Sequence, residues 1–73
     1  MTHLMMVSSQ FLGDVNNGAK NFILTKYERP YDQGDTLVVQ DGQNETLLTI
    51  KSVDKSSSGL KSGYCILSFQ IKD

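Results

Sequence analysis

The segment from Gly18 to Asp35, GAKNFILTKYERPYDQGD, constrains this chain most. Read in order, it is a helix stop, a strand, a polar turn-rich loop and a Gly-Asp entry into the next strand. Pro30 has to close the strand, because proline donates no ladder hydrogen bond and biases Arg29 toward extended backbone. Tyr31 to Asp35 forms a turn that Asp35 is expected to cap. The same segment holds the densest group of contact residues in the chain: Lys20, Thr25, Lys26, Tyr27, Arg29 and Tyr31.

The flanking segments fall into place around it. His3 to Val7 is a short apolar run with a β-branched end, expected as a buried first strand. Ser8 and Ser9 offer N-cap hydroxyls, and Phe11, Leu12 and Val15 share one face of a short helix. Gly13 weakens that helix by roughly 1 kcal/mol relative to alanine, and Gly18 is suited to its left-handed stop. After the strand Lys20 to Tyr27 come the β-branched strand Thr36 to Gln40, an Asp-Gly hairpin signal at Asp41 to Asn44, and a returning strand Glu45 to Val53. Asp54 to Gly63 reads as a loop and Tyr64 to Ile71 as the final strand. Alternation sets Leu48 and Ile50 opposite Leu47, Thr49, Lys51 and Val53. In the last strand Cys65, Leu67, Phe69 and Ile71 form the core face. The expected core is Phe22 or Leu24, Val38 or Val39, Ile50, Leu67 and Phe69.

One helix and five short strands in 73 residues predict a single α+β, mainly β domain over residues 1–73. So few strands bury a face only by curling around it, as a strongly curved sheet or a partly open five-stranded barrel. At this size only about 60–65% of the surface can be buried, so nearly every patterned apolar residue is needed.

Composition narrows the function. Seven Lys plus Arg against eight Asp plus Glu give a formal net charge of -1, so any phosphate binding has to be local. Cys65 has no second cysteine to pair with and lies in the apolar run YCIL. It reads as a buried, inert thiol in a reducing compartment. His3, the single histidine, is better explained as a satisfied structural residue than as a base. The acidic residues show no ligand spacing, so neither a metal nor a cofactor is expected. The start of the chain has no basic signal-type region, and no apolar window is long enough for a membrane span. The expected location is cytoplasmic, without a membrane partner.

The order HLMMV, a helix ending in GAK, a strand, GDTLVVQD, a hairpin and GLKSGYCILSF resembles the ASCH-type domains of the PUA-like superfamily. More narrowly, it is similar to DUF3850, a family of small bacterial and phage proteins. The similarity runs from Thr2 to Ile71 and rests on short motifs in a shared order. His3 and Leu4 match the family's opening, and Gly18 and Lys20 match the first half of Gly-x-Lys-x-x-Glu-x-Arg. Ile23 stands at the Glu position of that motif and Thr25 at its Arg position. Arg29 matches a loop arginine, with Glu28 in place of the Asp before it, and Gly34, Asp35, Gly63 and Tyr64 also match. The resemblance implies a PUA-like curved sheet whose ligand cleft has lost two charged positions.

Some ASCH proteins hydrolyse an acetylated cytidine using a lysine, a nearby threonine and a glutamate. Here Ile23 follows Lys20 at the third position, and an aliphatic chain neither transfers a proton nor attacks a carbonyl. No catalytic residue is assigned, and the chain is not expected to be an enzyme.

Three function classes follow. The first is a binding module for single-stranded RNA, a nucleotide or a modified base, implied mainly by the resemblance. Its surface would be Lys20, Thr25, Lys26, Tyr27, Arg29 and Tyr31, with Lys61 as an addition and the two tyrosines as stacking faces. The second is a protein-interaction or phage accessory domain with a vestigial cleft. The third, and least favoured, is a nucleoside amidohydrolase. Oligomeric state stays open.

Overall fold

None of the short β-forming runs can bury a face alone, and in the computed structural model all of them pair into one sheet. The structure describes residues 1–55 and 59–72. Strands β1 (Thr2–Met6), β2 (Phe22–Lys26), β3 (Thr36–Gln40), β4 (Glu45–Asp54) and β5 (Tyr64–Ile71) stand in the order β1-β3-β4-β5-β2. Helix α1 (Ser9–Asn16) connects β1 to β2 and packs against β3 and β4. β1 runs parallel to β3, and the other neighbours are antiparallel. The result is a mainly β, curled half-barrel with one short helix.

Local chemistry sets the boundaries. Ser8 is extended, and its Oγ accepts the Phe11 N–H at 3.0 Å, which caps the helix start. At the other end Gly18 takes φ +84°, while Ala19 and Lys20 donate to the Asp14 carbonyl at 2.8 and 3.1 Å. In the β3–β4 hairpin the Asp41 carboxylate accepts the N–H groups of Gln43 and Asn44 at 2.9 and 2.8 Å. Gly42 supplies the positive φ that this turn requires.

The core lies on the concave face. Leu37, Val39, Leu48, Ile50, Cys65 and Leu67 are fully buried, and Leu12, Val15, Tyr31 and Phe69 close over them. Burying each large aliphatic side chain contributes about 1.5–3 kcal/mol. Of the two valines in β3, Val39 points inward.

Four expectations need correction. Phe22 and Leu24 are 46% and 57% exposed, and Ile23 is the β2 residue packed on the core. The register explains this: Ile23 stands opposite Leu67 and shares its inward face, so its neighbours face outward. Val53 was expected to point away from Leu48 and Ile50, yet it also packs on the core. A register shift between Ile50 and Ser52 resets the alternation, and Val53 comes to stand opposite Leu67. Ile71, expected in the core, is 44% exposed at the end of β5. The first strand, expected to be buried, is an edge strand whose residues alternate between faces: His3 is buried, while Leu4 and Met6 are exposed.

Ser56 to Ser58 of the expected serine-rich loop lie outside the described residues. Among those described, no helix is long and apolar enough to cross a membrane.

Candidate functional site

β2 is an edge strand, and the concavities beside it lie at its two ends rather than along its length. At its start, a cleft of about 370 Å³ is lined by Val15, Gly18, Lys20, Asn21, Phe69, Gln70 and Ile71. The helix stop at Gly18 delivers Lys20 to this cleft, where its Nζ lies 5.4 Å from the Phe22 ring centre. The Asn21 carbonyl accepts the Phe69 N–H at 2.9 Å and ties the entry of β2 to β5. Val15, Phe69 and Ile71 give the cleft an apolar wall. Lys20, Asn21 and Gln70 give it a cation and two amides.

At the other end, Tyr27, Tyr31, Asp32, Gln33, Ser52, Val53 and Lys55 line a pocket of about 360 Å³. Tyr27 donates its N–H to the Gly63 carbonyl at 2.8 Å, and its ring meets that of Tyr31 at 6.1 Å and 68°. Lys55 holds its Nζ 4.4 Å from the centre of the Tyr27 ring.

Tyr31 was expected to offer a stacking face. It is only 5% exposed and belongs to the core, with its ring edge-on to His3 at 4.7 Å. Burial pushes its phenol above the usual range, against the opposing charge of Arg29. The order of burial is physical: a ring this close to a buried imidazole has no face left for a base.

His3 is a satisfied structural residue. Its Nε2 and Asp35 Oδ2 are 2.8 Å apart. That bond, then the terminal amine of Met1 and the Asp32 N–H, hold the Asp35 carboxyl at about 2. A carboxylate this acidic can only accept, so the Nε2 proton belongs to His3. Asp35 does cap the turn through Asp32, and it also joins β1 to the start of β3.

The remaining expected residues are dispersed. Thr25 is half-buried on the concave face opposite Cys65, and Lys26 is exposed on the other face of β2. Arg29 and Lys61 are exposed in the flanking loops. The extended chain from Lys20 to Tyr27 spans roughly 20 Å. The structure therefore groups Tyr27 and Arg29 at one end of β2 and leaves Lys20 at the other. Asn21, Gln70 and Lys55 were not anticipated. Gln70 was placed correctly opposite the core, but nothing local marks a strand end as a cleft wall. Lys55 depends on the irregularity in β4, for which the sequence has no glycine signal.

Other chemistry at the site is limited. Burial pushes the Cys65 thiol up, partly offset by Lys55, so it stays protonated and a poor nucleophile. Among the described residues, no group of three His, Cys, Asp or Glu side chains could hold a metal ion. A further groove beside α1 is occupied by internal bonds, with Ser9 donating to Asp41 at 2.8 Å and Thr46 to Asn16 at 2.7 Å.

Comparison with known proteins adds a family and a fold. The family model DUF3850, described as a domain of unknown function, matches residues 2–69. The crystal structure of hypothetical protein PH0355 is similar with a TM-score of 0.73, over 99% of this chain and 100% of that one. Sequence identity is 14%, so this likeness concerns the fold alone. No curated protein matches the chain.

Proposed function

The chain belongs to the DUF3850 family, and from that premise we propose that it is a small binding module for a nucleotide or a single-stranded RNA end, held at the Lys20 cleft. One observation carries this reading: a cation, two amides and an apolar wall converge on a space of about 370 Å³. That is within the size range of small-ligand sites. A phosphate would pair with the Lys20 ammonium. A base would lay its apolar face on Phe69 and Ile71, while Asn21 and Gln70 supply donors and acceptors for its edge.

The contact surface is smaller than the sequence suggested. Tyr31 is sealed, Thr25 faces Cys65, and Lys26 lies on the opposite face of the strand. Hydrolysis is not proposed, because Ile23 packs on the core and gives Lys20 no acid–base partner at that position.

The test is a titration of nucleoside monophosphates and labelled single-stranded RNA at low salt. High-micromolar binding is expected, with a log-log salt slope of about -0.7 per phosphate contact on a single strand. Lys20→Ala should abolish it, and Lys26→Ala should leave it unchanged. No binding to the wild type at high micromolar protein overturns the reading. The exposed apolar residues of β2, Phe22 and Leu24, would then favour a protein-interaction role.

A further inference from the structure

At the far end of β2, Tyr27 and Tyr31 form a corner of two rings at 68°, and the ammonium of Lys55 sits over one of them. We propose that this pocket is a separate cation-recognition site, which admits a guanidinium or methylated ammonium group, with Lys55 as its exchangeable internal occupant.

The aromatic wall is set before any ligand arrives. Tyr27 is half-buried and anchored through its N–H to Gly63, while Tyr31 is locked edge-on against the buried His3. The loop carrying Asp32 is also fixed, because its N–H donates to the Asp35 carboxylate at 3.1 Å. Asp32 lines the same pocket and contributes a negative charge beside the rings. Gln33 and Ser52, which line it too, are neutral. The Tyr27 face and a carboxylate suit a cation, while Tyr31 backs the corner from the core, and the carboxylate disfavours a phosphate.

Lys55 marks the place a cation takes, yet it is not the best tenant. It is an exposed residue at the end of a strand, and its compact primary ammonium holds water strongly. A guanidinium or a methylated ammonium is more weakly hydrated and covers more of the ring. It gives up less on leaving water, so it can displace Lys55 into solvent. The space of about 360 Å³ is also larger than one ammonium group fills.

This site stands apart from the Lys20 cleft, and its test does not depend on nucleotide binding. Tetramethylammonium, N-acetyl-arginine amide and N-acetyl-lysine amide are titrated at millimolar concentration while the Tyr27 ring resonances are followed by NMR. The first two should shift them, and the lysine amide should do so least. If tetramethylammonium outperforms the arginine amide, the natural ligand carries a methylated ammonium; the reverse order points to an arginine side chain. Lys55→Ala should bind about three- to tenfold more tightly than wild type, since it vacates the seat. Tyr27→Phe should retain binding, and Tyr27→Ala should lose it. Should Tyr27→Ala fail to fold, Lys55→Ala and Tyr27→Phe still decide the matter. Unchanged or weaker binding by Lys55→Ala overturns the proposal. So does a nucleoside monophosphate that shifts the Tyr27 resonances more strongly than either cation.

Discussion

In β3, β4 and β5 the inward residues Leu37, Val39, Leu48, Ile50, Cys65 and Leu67 are closed to solvent, whereas Ile23, the inward residue of β2 opposite Leu67, is only half-buried. The residue types barely differ between the two regions; their neighbours do. β3, β4 and β5 each have a strand on both sides, while β2 is paired with β5 alone. Stability therefore belongs to the middle of the sheet. Both candidate ligand sites sit at the ends of its edge strand, where side chains are cheaper to vary.

The largest test of this contrast is Phe69→Ala in β5. Phe69 is 4% exposed, and its loss should cost about 3–5 kcal/mol, much of a small domain's stability. An unchanged melting curve would show that the core is elsewhere. Ile23→Ala removes the inward residue of the edge strand. It is only half-buried, so about 1–2 kcal/mol is expected by denaturant titration. A loss as large as that of Phe69→Ala would erase the distinction between centre and edge.

A smaller effect concerns the link between β1 and the start of β3. The Asp35 carboxyl is lowered from 3.8 to about 2 in the folded protein, so its bonds contribute fully above the unfolded value. That contribution is lost as pH falls from about 4 toward 2. Asp35→Asn should therefore melt earlier than wild type at neutral pH, and the gap should close in acid. A gap independent of pH would mean that the carboxylate charge contributes nothing. The smallest effect is expected on the outer face of the sheet: Leu24→Ser should change stability by no more than about 0.5 kcal/mol. A marked loss would reveal that the outer face of β2 is covered in solution.

The sequence alone determined most of the framework. Serine caps, glycine stops, Pro30 and strict alternation act over a few residues, so α1, β3 and β5 could be read directly. The loop role of Asp35 was equally local. Tertiary structure decided which side of β2 faces the core, because Phe22, Ile23 and Leu24 are all apolar and only pairing with β5 separates them. It also decided the fate of Val53, since one irregularity in β4 reverses a period-two pattern. The candidate site was less legible than the fold for the same reason. Lys20 and Tyr27 are close in sequence, but an extended strand carries them to opposite ends. Tyr31 and Arg29 are near neighbours too, and a ring contact from the first strand draws only the tyrosine inside. Lys55 reaches Tyr27 from just past the end of β4, across a distance along the chain that no local pattern encodes.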